Sequence, residues 1–202
     1  MRAVMAPLYR LAEHAKGYEL AQRVSRPTTE RFRALIRSRI NPSPSENLLD
    51  VGCGPGHYRS SFTCQYSGVD INPDYIRTAS SRLDGRFMVM DGTRLAFENE
   101  TFDHVVSIAT LHHLTDEQVI QMVREALRVC KPSGRVHLID AILPIAPNFA
   151  FKRIVFHLDR GGYPRTHEHL YELIGKAGNI SCRDVIAGPL HDVTYVGMTP
   201  GA

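Results

Sequence analysis

The residues of this chain best suited to chemistry are three glycines set at alternating positions directly after an apolar run. The run covers residues 48–51 and ends with Asp50 and Val51, and Gly52, Gly54 and Gly56 follow it. Such a run is typical of a buried parallel strand, whose loop lies at the carboxyl edge of a sheet. Because glycine permits positive φ and has no Cβ, a ligand can approach the main chain there. The loop therefore predicts a site for a small ligand pressed against the backbone.

This loop differs from a dinucleotide-binding loop in two respects. The dinucleotide fingerprint reads G-x-G-x-x-G and holds a pyrophosphate on backbone N–H groups. Here the third glycine, Gly56, comes one residue early, and Pro55 removes an N–H group that a phosphate would need. The sequence therefore disfavours NAD and ATP. The alternative to a ligand site is a tight turn in an unrelated α/β protein.

Two acids close the strands that follow the loop. Asp70 ends a predicted strand at 66–70, eighteen residues after Gly52, where a carboxylate can accept hydrogen bonds from both hydroxyls of a ribose. Ile71 comes next, where an aliphatic side chain can support a flat adenine. Asp91 follows a predicted strand at 86–90 and can accept a hydrogen bond from an exocyclic adenine amine. The alternative role of Asp91 is to cap a turn.

Two histidines and a third acid suggest acid–base chemistry. His112 and His113 follow a predicted strand at 102–109, and Asp140 ends a predicted strand at 135–140. We expect them at neighbouring carboxyl ends of one sheet. An imidazole oriented by a carboxylate can remove a proton from an acceptor hydroxyl near neutral pH. The alternative is that the histidine pair only packs or caps.

Strands and helices that alternate along the chain must position these residues. Asn72 is the expected N-cap of a helix that starts at Pro73, and Thr115 opens a capping box with Gln118. Residues 131–134, Lys-Pro-Ser-Gly, are predicted to terminate the second of these helices. The other predicted elements are helices at 7–24, 28–40 and about 166–177, and strands near 180–187 and 191–198 joined as a hairpin by Gly188 and Pro189.

Five stretches between residues 47 and 140 resemble the class I S-adenosylmethionine (SAM)-dependent methyltransferases of the small-molecule branch. They are the loop D-V-G-C-G-P-G at 50–56, Asp70, Asp91-Gly92, the strand from Phe102-Asp103 into L-H-H-L at 111–114, and Leu127-Arg128 running into residues 131–135. The resemblance implies an α/β fold with a doubly wound, Rossmann-like, seven-stranded sheet. It also implies that the last strand is antiparallel and that helices cover both faces.

The same resemblance implies an enzyme that transfers a methyl group from SAM to an oxygen, nitrogen or carbon of a small molecule. The glycine loop and the end of the fourth strand would hold the amino-acid part of SAM, and the second and third strand ends its ribose and adenine. The residues concerned are Asp50, Gly52, Cys53, Gly54, Gly56, Ala109 and Thr110 for the first part, and Asp70, Ile71, Asp91, Gly92 and Thr93 for the second.

The acceptor pocket is expected from an N-terminal helical cap, 1–40, and from the long connection 141–165. Tyr18 can reach a ligand from the cap, or it is an ordinary packing aromatic. The connection carries aromatic and aliphatic residues between 149 and 158, then Arg160 and Arg165, whose planar forks suit a carboxylate or phosphate. We therefore expect an anionic or polyhydroxylated small molecule with an apolar portion as acceptor, rather than a protein or nucleic acid. The alternatives are that the connection is the surface of a homodimer or lies on a membrane, and that its arginines only pair with nearby acids.

Composition limits the remaining possibilities. The 202 residues suit one domain, 1–202, with no additional C-terminal substrate domain, and a net charge of +3 is too small to argue for nucleic acid. Nucleic-acid amino-methyltransferases resemble one another in an Asn/Asp-Pro-Pro-aromatic run, where this chain reads A-T-L-H at 109–112. No apolar run approaches the ~18 residues of a membrane span. The start has no secretory pattern, and four cysteines without C-x-x-C spacing suit a reduced, cytoplasmic protein.

Three further expectations complete the interpretation. His167 and His169 stand two apart on a predicted helix and point in different directions, so we expect no metal site. A SAM-binding protein of the same fold with other chemistry, decarboxylase-like or cyclase-like, is the first alternative function. A non-catalytic partner subunit is the second.

Overall fold

The described residues form seven strands: β1 (Asn47–Val51), β2 (Gln65–Asp70), β3 (Arg86–Val89), β4 (Phe102–Ile108), β5 (Cys130–Ile142), β6 (Ile180–Ile186) and β7 (Asp192–Met198). They make one sheet in the order β3-β2-β1-β4-β5-β7-β6. The computed structural model describes residues 29–145, 162–188 and 192–201. Only β7 runs antiparallel to its neighbours β5 and β6, so the predicted doubly wound sheet with an antiparallel last strand is confirmed.

The order of the sheet reverses at β1, which pairs with β2 on one side and β4 on the other. At such a switch point the loops leave the sheet in opposite directions and a crevice opens beyond the strand ends. The glycine loop follows β1 directly and therefore lies at this crevice. The predicted chemistry-bearing loops after β2, β3 and β4 lie at the same edge because these strands are parallel.

Four helices accompany the strands among the described residues: α1 over residues 29–39, α2 (Pro73–Arg82), α3 (Asp116–Val129) and α4 (His167–Gly175). The predicted N-terminal signals are confirmed. Asn72 accepts hydrogen bonds from the N–H groups of Asp74 and Tyr75, with Pro73 at the first position of α2. Thr115 and Gln118 form the reciprocal capping box of α3.

Two apolar clusters cover the two faces of the sheet. Side chains alternate along a strand, so Leu49 of β1 joins the cluster beneath α3 and α4, while Leu48 joins the cluster beneath α1. Phe32 and Ile36 give α1 its apolar face, and Val119 and Met122 do the same for α3. Helices on both faces are the layering expected of this α/β class.

Several boundaries differ from the sequence prediction. Helix α3 ends at Val129 and β5 begins at Cys130, so residues 131–134 belong to the strand rather than to a helix-terminating loop. A register shift against β4 between Phe102 and His104 accommodates them. Asp140 does not end β5, which continues to Ile142. The helix predicted over 166–177 is shorter, His167–Gly175, with Thr166 as its N-cap.

Two parts of the prediction lie outside the described residues. The helix predicted at 7–24 is one, and most of the connection 141–165 is the other, since residues 146–161 are not described. In the part of the chain that is described, no helix is long and apolar enough to cross a membrane.

Candidate functional site

The backbone of the glycine loop is bonded to the protein at each of its N–H groups. Gly52 and Cys53 donate to the carbonyl of Val69 at 2.8 and 3.0 Å, and Gly56 donates to that of Cys53 at 3.0 Å. Gly54 donates to Oδ2 of Asp70 at 2.9 Å. In the described chain the segment directly after the loop forms only a 3-10 turn, Arg59–Ser61, so the loop does not itself lead into an α-helix. The loop therefore offers neither spare N–H groups nor a helix dipole to a phosphate.

The three loop glycines have different surroundings, although all three have positive φ, between 54° and 84°. A Cβ on Gly52 would lie 2.4 Å from Cγ2 and Oγ1 of Thr110, and one on Gly56 would lie 2.2 Å from Cδ1 of Leu83. A Cβ on Gly54 would meet nothing within 4 Å. Packing thus accounts for Gly52 and Gly56, while Gly54 borders open space.

Asp70 joins the end of β2 to the glycine loop. Its Oδ2 accepts from Gly54, and its Oδ1 accepts from the N–H group of Asn72 at 2.9 Å. A carboxylate oxygen has two lone pairs, so each oxygen can accept one more hydrogen bond from a ligand hydroxyl. Ile71 beside it is 70% exposed, an unusual position for a large apolar side chain.

Asp91, Gly92 and Thr93 form a tight turn after β3. Oδ1 of Asp91 accepts from both the N–H and the hydroxyl of Thr93 at 2.8 Å, which is the turn-capping arrangement weighed above. A Cβ on Gly92 would lie 2.7 Å from Cγ1 of Val51, so packing beneath the turn accounts for this glycine. Because the turn uses only Oδ1 of Asp91, Oδ2 can accept a hydrogen bond from a ligand donor.

Asp50 is a buried acid of β1 with one unsatisfied oxygen. The hydroxyl of Tyr66 donates to its Oδ2 at 2.6 Å, whereas Oδ1 has no hydrogen-bond partner among the described residues. Burial raises the pKa of Asp50 to about 7, despite the Tyr66 hydrogen bond. Tyr66 was missed by the sequence interpretation, since nothing local signals that β2 brings its hydroxyl to Asp50. Cys53 beside them is a buried thiol whose pKa burial raises.

The end of β4 carries the second unusual backbone of the site. Ala109 has φ +56°, a conformation that costs a non-glycine residue about 1–2 kcal/mol. Its N–H donates to the carbonyl of Ile139 at 2.8 Å. Thr110 follows and donates its hydroxyl to the carbonyl of Gly52 at 3.2 Å. The β4 end and the glycine loop, predicted to hold one part of a ligand, are therefore in contact.

His112 and Asp140 form a buried pair. Nδ1 of His112 lies 2.5 Å from Oδ1 of Asp140, and both side chains are less than 10% exposed. Oδ2 of Asp140 also accepts from the backbone N–H of His112 at 3.2 Å. An ionised carboxylate only accepts, so Nδ1 is the ring nitrogen that donates in this pair, and in a neutral imidazole Nε2 would be the basic nitrogen. His113 is exposed, and its ring centroid lies 4.1 Å from that of His112.

Arg165 does not fit its predicted role as a substrate ligand. Its Nη1 donates to the carbonyls of Leu111 and Tyr163, its Nη2 to Leu114 and Asp116, and its Nε to Asp116. All five N–H groups are thereby used, and the residue is 5% exposed. Through these hydrogen bonds its side chain instead stabilises the turn Leu111–His113. The nonlocal partners explain why the sequence did not reveal this.

Tyr18 and Arg160 lie outside the described residues, so their predicted contacts with substrate remain predictions, as do the alternative roles of the connection. Nε2 of His169 lies 3.1 Å from Asp116, the same acid that Arg165 uses. No group of three or more His, Cys, Asp or Glu side chains within 29–145, 162–188 and 192–201 could hold a metal ion.

The arrangement of these residues fits SAM. Gly54 borders open space at the switch point, and Asp70 can accept two further hydrogen bonds. Asp50 has a buried oxygen, Oδ1, that finds no partner among the described residues. A ligand with a ribose diol and a cationic ammonium group satisfies both acids.

Comparison with known proteins finds similarity to methyltransferases. Residues 49–138 match the methyltransferase domain family. The tRNA (carboxymethyluridine(34)-5-O)-methyltransferase of Arabidopsis thaliana is 36% identical over 91 residues, 44% of this chain and 22% of that protein. The norajmaline N-methyltransferase of Rauvolfia serpentina is 28% identical over 121 residues, 53% of this chain and 41% of that protein. The chain thus matches less than half the length of these relatives.

Solved structures extend the similarity to most of the described fold. A protein of Pyrococcus horikoshii OT3 superposes with a TM-score of 0.69 at 20% identity, over 87% of this chain and 91% of that chain. At such low identity the likeness concerns the fold.

Proposed function

We propose that this chain is a class I SAM-dependent methyltransferase, because residues 49–138 match the methyltransferase domain family, and that it transfers a methyl group from SAM to a small organic acceptor. One observation carries the proposal. The open glycine loop with Asp70 and the buried pair of His112 and Asp140 meet at the same edge of the sheet, beside its switch point. A cofactor cradle and an acid–base pair at one crevice are what a transfer reaction needs.

The residues that we propose to hold SAM, here called the cradle, lie at several strand ends, and each strand end would bind a different part of the cofactor. Asp70 accepts the ribose hydroxyls, Ile71 lies against the adenine, and Asp91 accepts from the adenine amine through Oδ2. Gly54 leaves room for the amino-acid part, and the unsatisfied Oδ1 of Asp50 attracts its ammonium group. The other residues assigned to the cofactor, Gly52, Cys53, Gly56, Gly92, Thr93, Ala109 and Thr110, shape this cradle through packing and backbone conformation.

The proposed chemical role of the chain is alignment and proton removal. SAM, when bound, supplies a methyl group activated by its sulfonium. His112 accepts the proton that an acceptor hydroxyl or amine must lose, through Nε2, and Asp140 stabilises the resulting imidazolium through Nδ1. Burial of both side chains fixes the ring in one orientation. His113 and the described part of the connection would shape the entrance to this nitrogen.

The nature of the acceptor has two candidates. A small molecule is favoured by the weak net charge of +3 and by a relative named for norajmaline. An RNA acceptor is the second candidate, because a relative named for tRNA methylation shares 36% identity over 91 residues. A protein that binds RNA neutralises many phosphates with Lys and Arg side chains. A net charge of +3 offers few such cations, so this candidate requires another domain that supplies them.

The test uses SAM with a labelled methyl group, a low-molecular-mass filtrate of a cell extract and, separately, its RNA fraction. We expect S-adenosylhomocysteine and a labelled small molecule to form in equal amounts with the filtrate. Label in the RNA fraction alone would replace the first candidate by the second. Retention of SAM without S-adenosylhomocysteine in either fraction would contradict methyl transfer and favour a SAM-binding protein with other chemistry or a partner subunit.

A further inference from the structure

We propose that Arg33 is the counter-ion for the carboxylate of bound SAM, an inference that rests on the proposed function. Arg33 lies on α1, and its Nη2 is 3.4 Å from the carbonyl oxygen of His57, directly after the glycine loop. The preceding residue, Phe32, packs its ring 5.9 Å from that of Tyr58, so α1 is fixed against this end of the loop. The helix thus delivers a cation to the rim of the cradle.

The glycine loop cannot bind a carboxylate by itself. Gly52 and Cys53 donate their N–H groups to Val69, Gly54 donates to Asp70, and Gly56 donates to Cys53. Pro55 has no N–H group. Between residues 52 and 56 every backbone donor is therefore used within the protein, and an anionic ligand must find a side-chain partner.

The guanidinium of Arg33 makes few hydrogen bonds with the residues that the structure describes. Its Nε is buried and has no acceptor among the described residues. Its ion pair with Glu30 is long, at 3.5 Å, and Glu30 is 57% exposed, so this pair contributes little. A partly buried cation with spare donors gains most from an ionised, planar acceptor.

The neighbouring arginine cannot take this role. Arg59 follows the loop, but it donates to Asp84 through Nε and Nη2 and to the carbonyl of Phe62 through Nη1. The charge of Arg33 does act on the loop, since the pKa of His57 is lowered by burial and further by Arg33. Arg33 would then bind the carboxylate of the amino-acid part of SAM, and Asp50 would bind its ammonium group.

The experiment compares two ligands by calorimetry: S-adenosylhomocysteine, which carries the carboxylate, and 5′-methylthioadenosine, which lacks the whole amino-acid end. For Arg33→Ala and Arg33→Gln we expect the Kd of the first ligand to rise roughly 10- to 100-fold, the loss of charge-assisted hydrogen bonds. The Kd of the second should change less than about 2-fold, and Arg33→Lys should recover part of the affinity. Arg37→Ala, an exposed arginine one turn along the same helix, is the matched control and should change neither.

The outcomes separate the inference from the proposed function. If the wild-type protein binds neither ligand, both fall. If it binds S-adenosylhomocysteine and Arg33→Ala binds it equally well, only the role of Arg33 fails. An Arg33→Gln protein with wild-type affinity, or an Arg33→Ala protein that loses both ligands alike, assigns Arg33 to holding the loop and also overturns the inference.

Discussion

Replacing Gly54 by alanine is expected to separate SAM binding from folding. A Cβ at this position would meet no protein atom within 4 Å, whereas a Cβ on Gly52 would lie 2.4 Å from Thr110. The added methyl group therefore disturbs little in the free protein. It projects into the space that we assign to the amino-acid part of SAM, where it must displace the ligand.

The two effects have different sizes. Gly54 has φ +54°, which costs alanine about 1–2 kcal/mol. For a chain of this length that corresponds to a fall in Tm of roughly 2–8 °C. Forcing a methyl group into an occupied contact typically costs about 1–3 kcal/mol, so the Kd for SAM should rise roughly 5- to 150-fold. Gly52→Ala should instead lower stability strongly, because Thr110 must move.

The assay pairs a thermal melt with calorimetric titration of SAM, and Gly175→Ala is the matched control. Gly175 also borders open space, but at the last residue of α4, and its replacement should leave the Kd unchanged. A folded Gly54→Ala protein that binds SAM with the wild-type Kd would refute the assignment of this space to the cofactor.

Three further predictions address other parts of the account. Asp70→Ala should weaken SAM binding by ~2–3 kcal/mol, about 30- to 150-fold, through loss of two hydroxyl acceptors; unchanged affinity by calorimetry would remove Asp70 from the site. His112→Ala should lower kcat on the identified acceptor with little change in SAM affinity, since the proposed base is lost; near-normal kcat in both His112→Ala and His113→Ala would place the base elsewhere. Burial lowers the pKa of His137 to about 3, so the folded protein keeps this residue neutral while the unfolded chain protonates it below about 6.5. The contribution of His137 to the free energy of unfolding is therefore complete above pH 6.5, and it falls by up to about 1.4 kcal/mol per pH unit as the pH decreases toward 3. Urea unfolding between pH 6 and 4 should give a smaller slope of unfolding free energy against pH for His137→Gln than for the wild-type protein. An identical slope would contradict the buried, neutral state assigned to His137.

Much of the fold could be predicted because its signals are local. The apolar runs before Gly52 and Asp70 mark buried strands, and Thr115 with Gln118 marks the start of a helix three residues after His112. The prediction was wrong at residues 131–134, where Pro132 and Gly134 suggested a loop. There β5 has already begun: it pairs with β4 at Cys130 and again from Arg135 onward, and the register shift between these pairs absorbs the irregular residues.

The parts of the site that sequence reasoning missed depend on nonlocal contacts. Arg165 reaches back more than fifty residues to the carbonyl of Leu111, and Arg33 reaches forward to that of His57. Tyr66 meets Asp50 only because β1 and β2 pair in a particular register. In contrast, His112 and Asp140 could be expected together, because both were placed at neighbouring ends of parallel strands.

The most direct test of the central claim is a crystal structure of the protein with S-adenosylhomocysteine. We expect the ribose hydroxyls within hydrogen-bond distance of Asp70, the adenine against Ile71, the amino-acid part over Gly54, and the sulfur facing the crevice that His112 borders. A ligand bound elsewhere on the molecule, with Gly54 and Asp70 free of contact, would contradict the account.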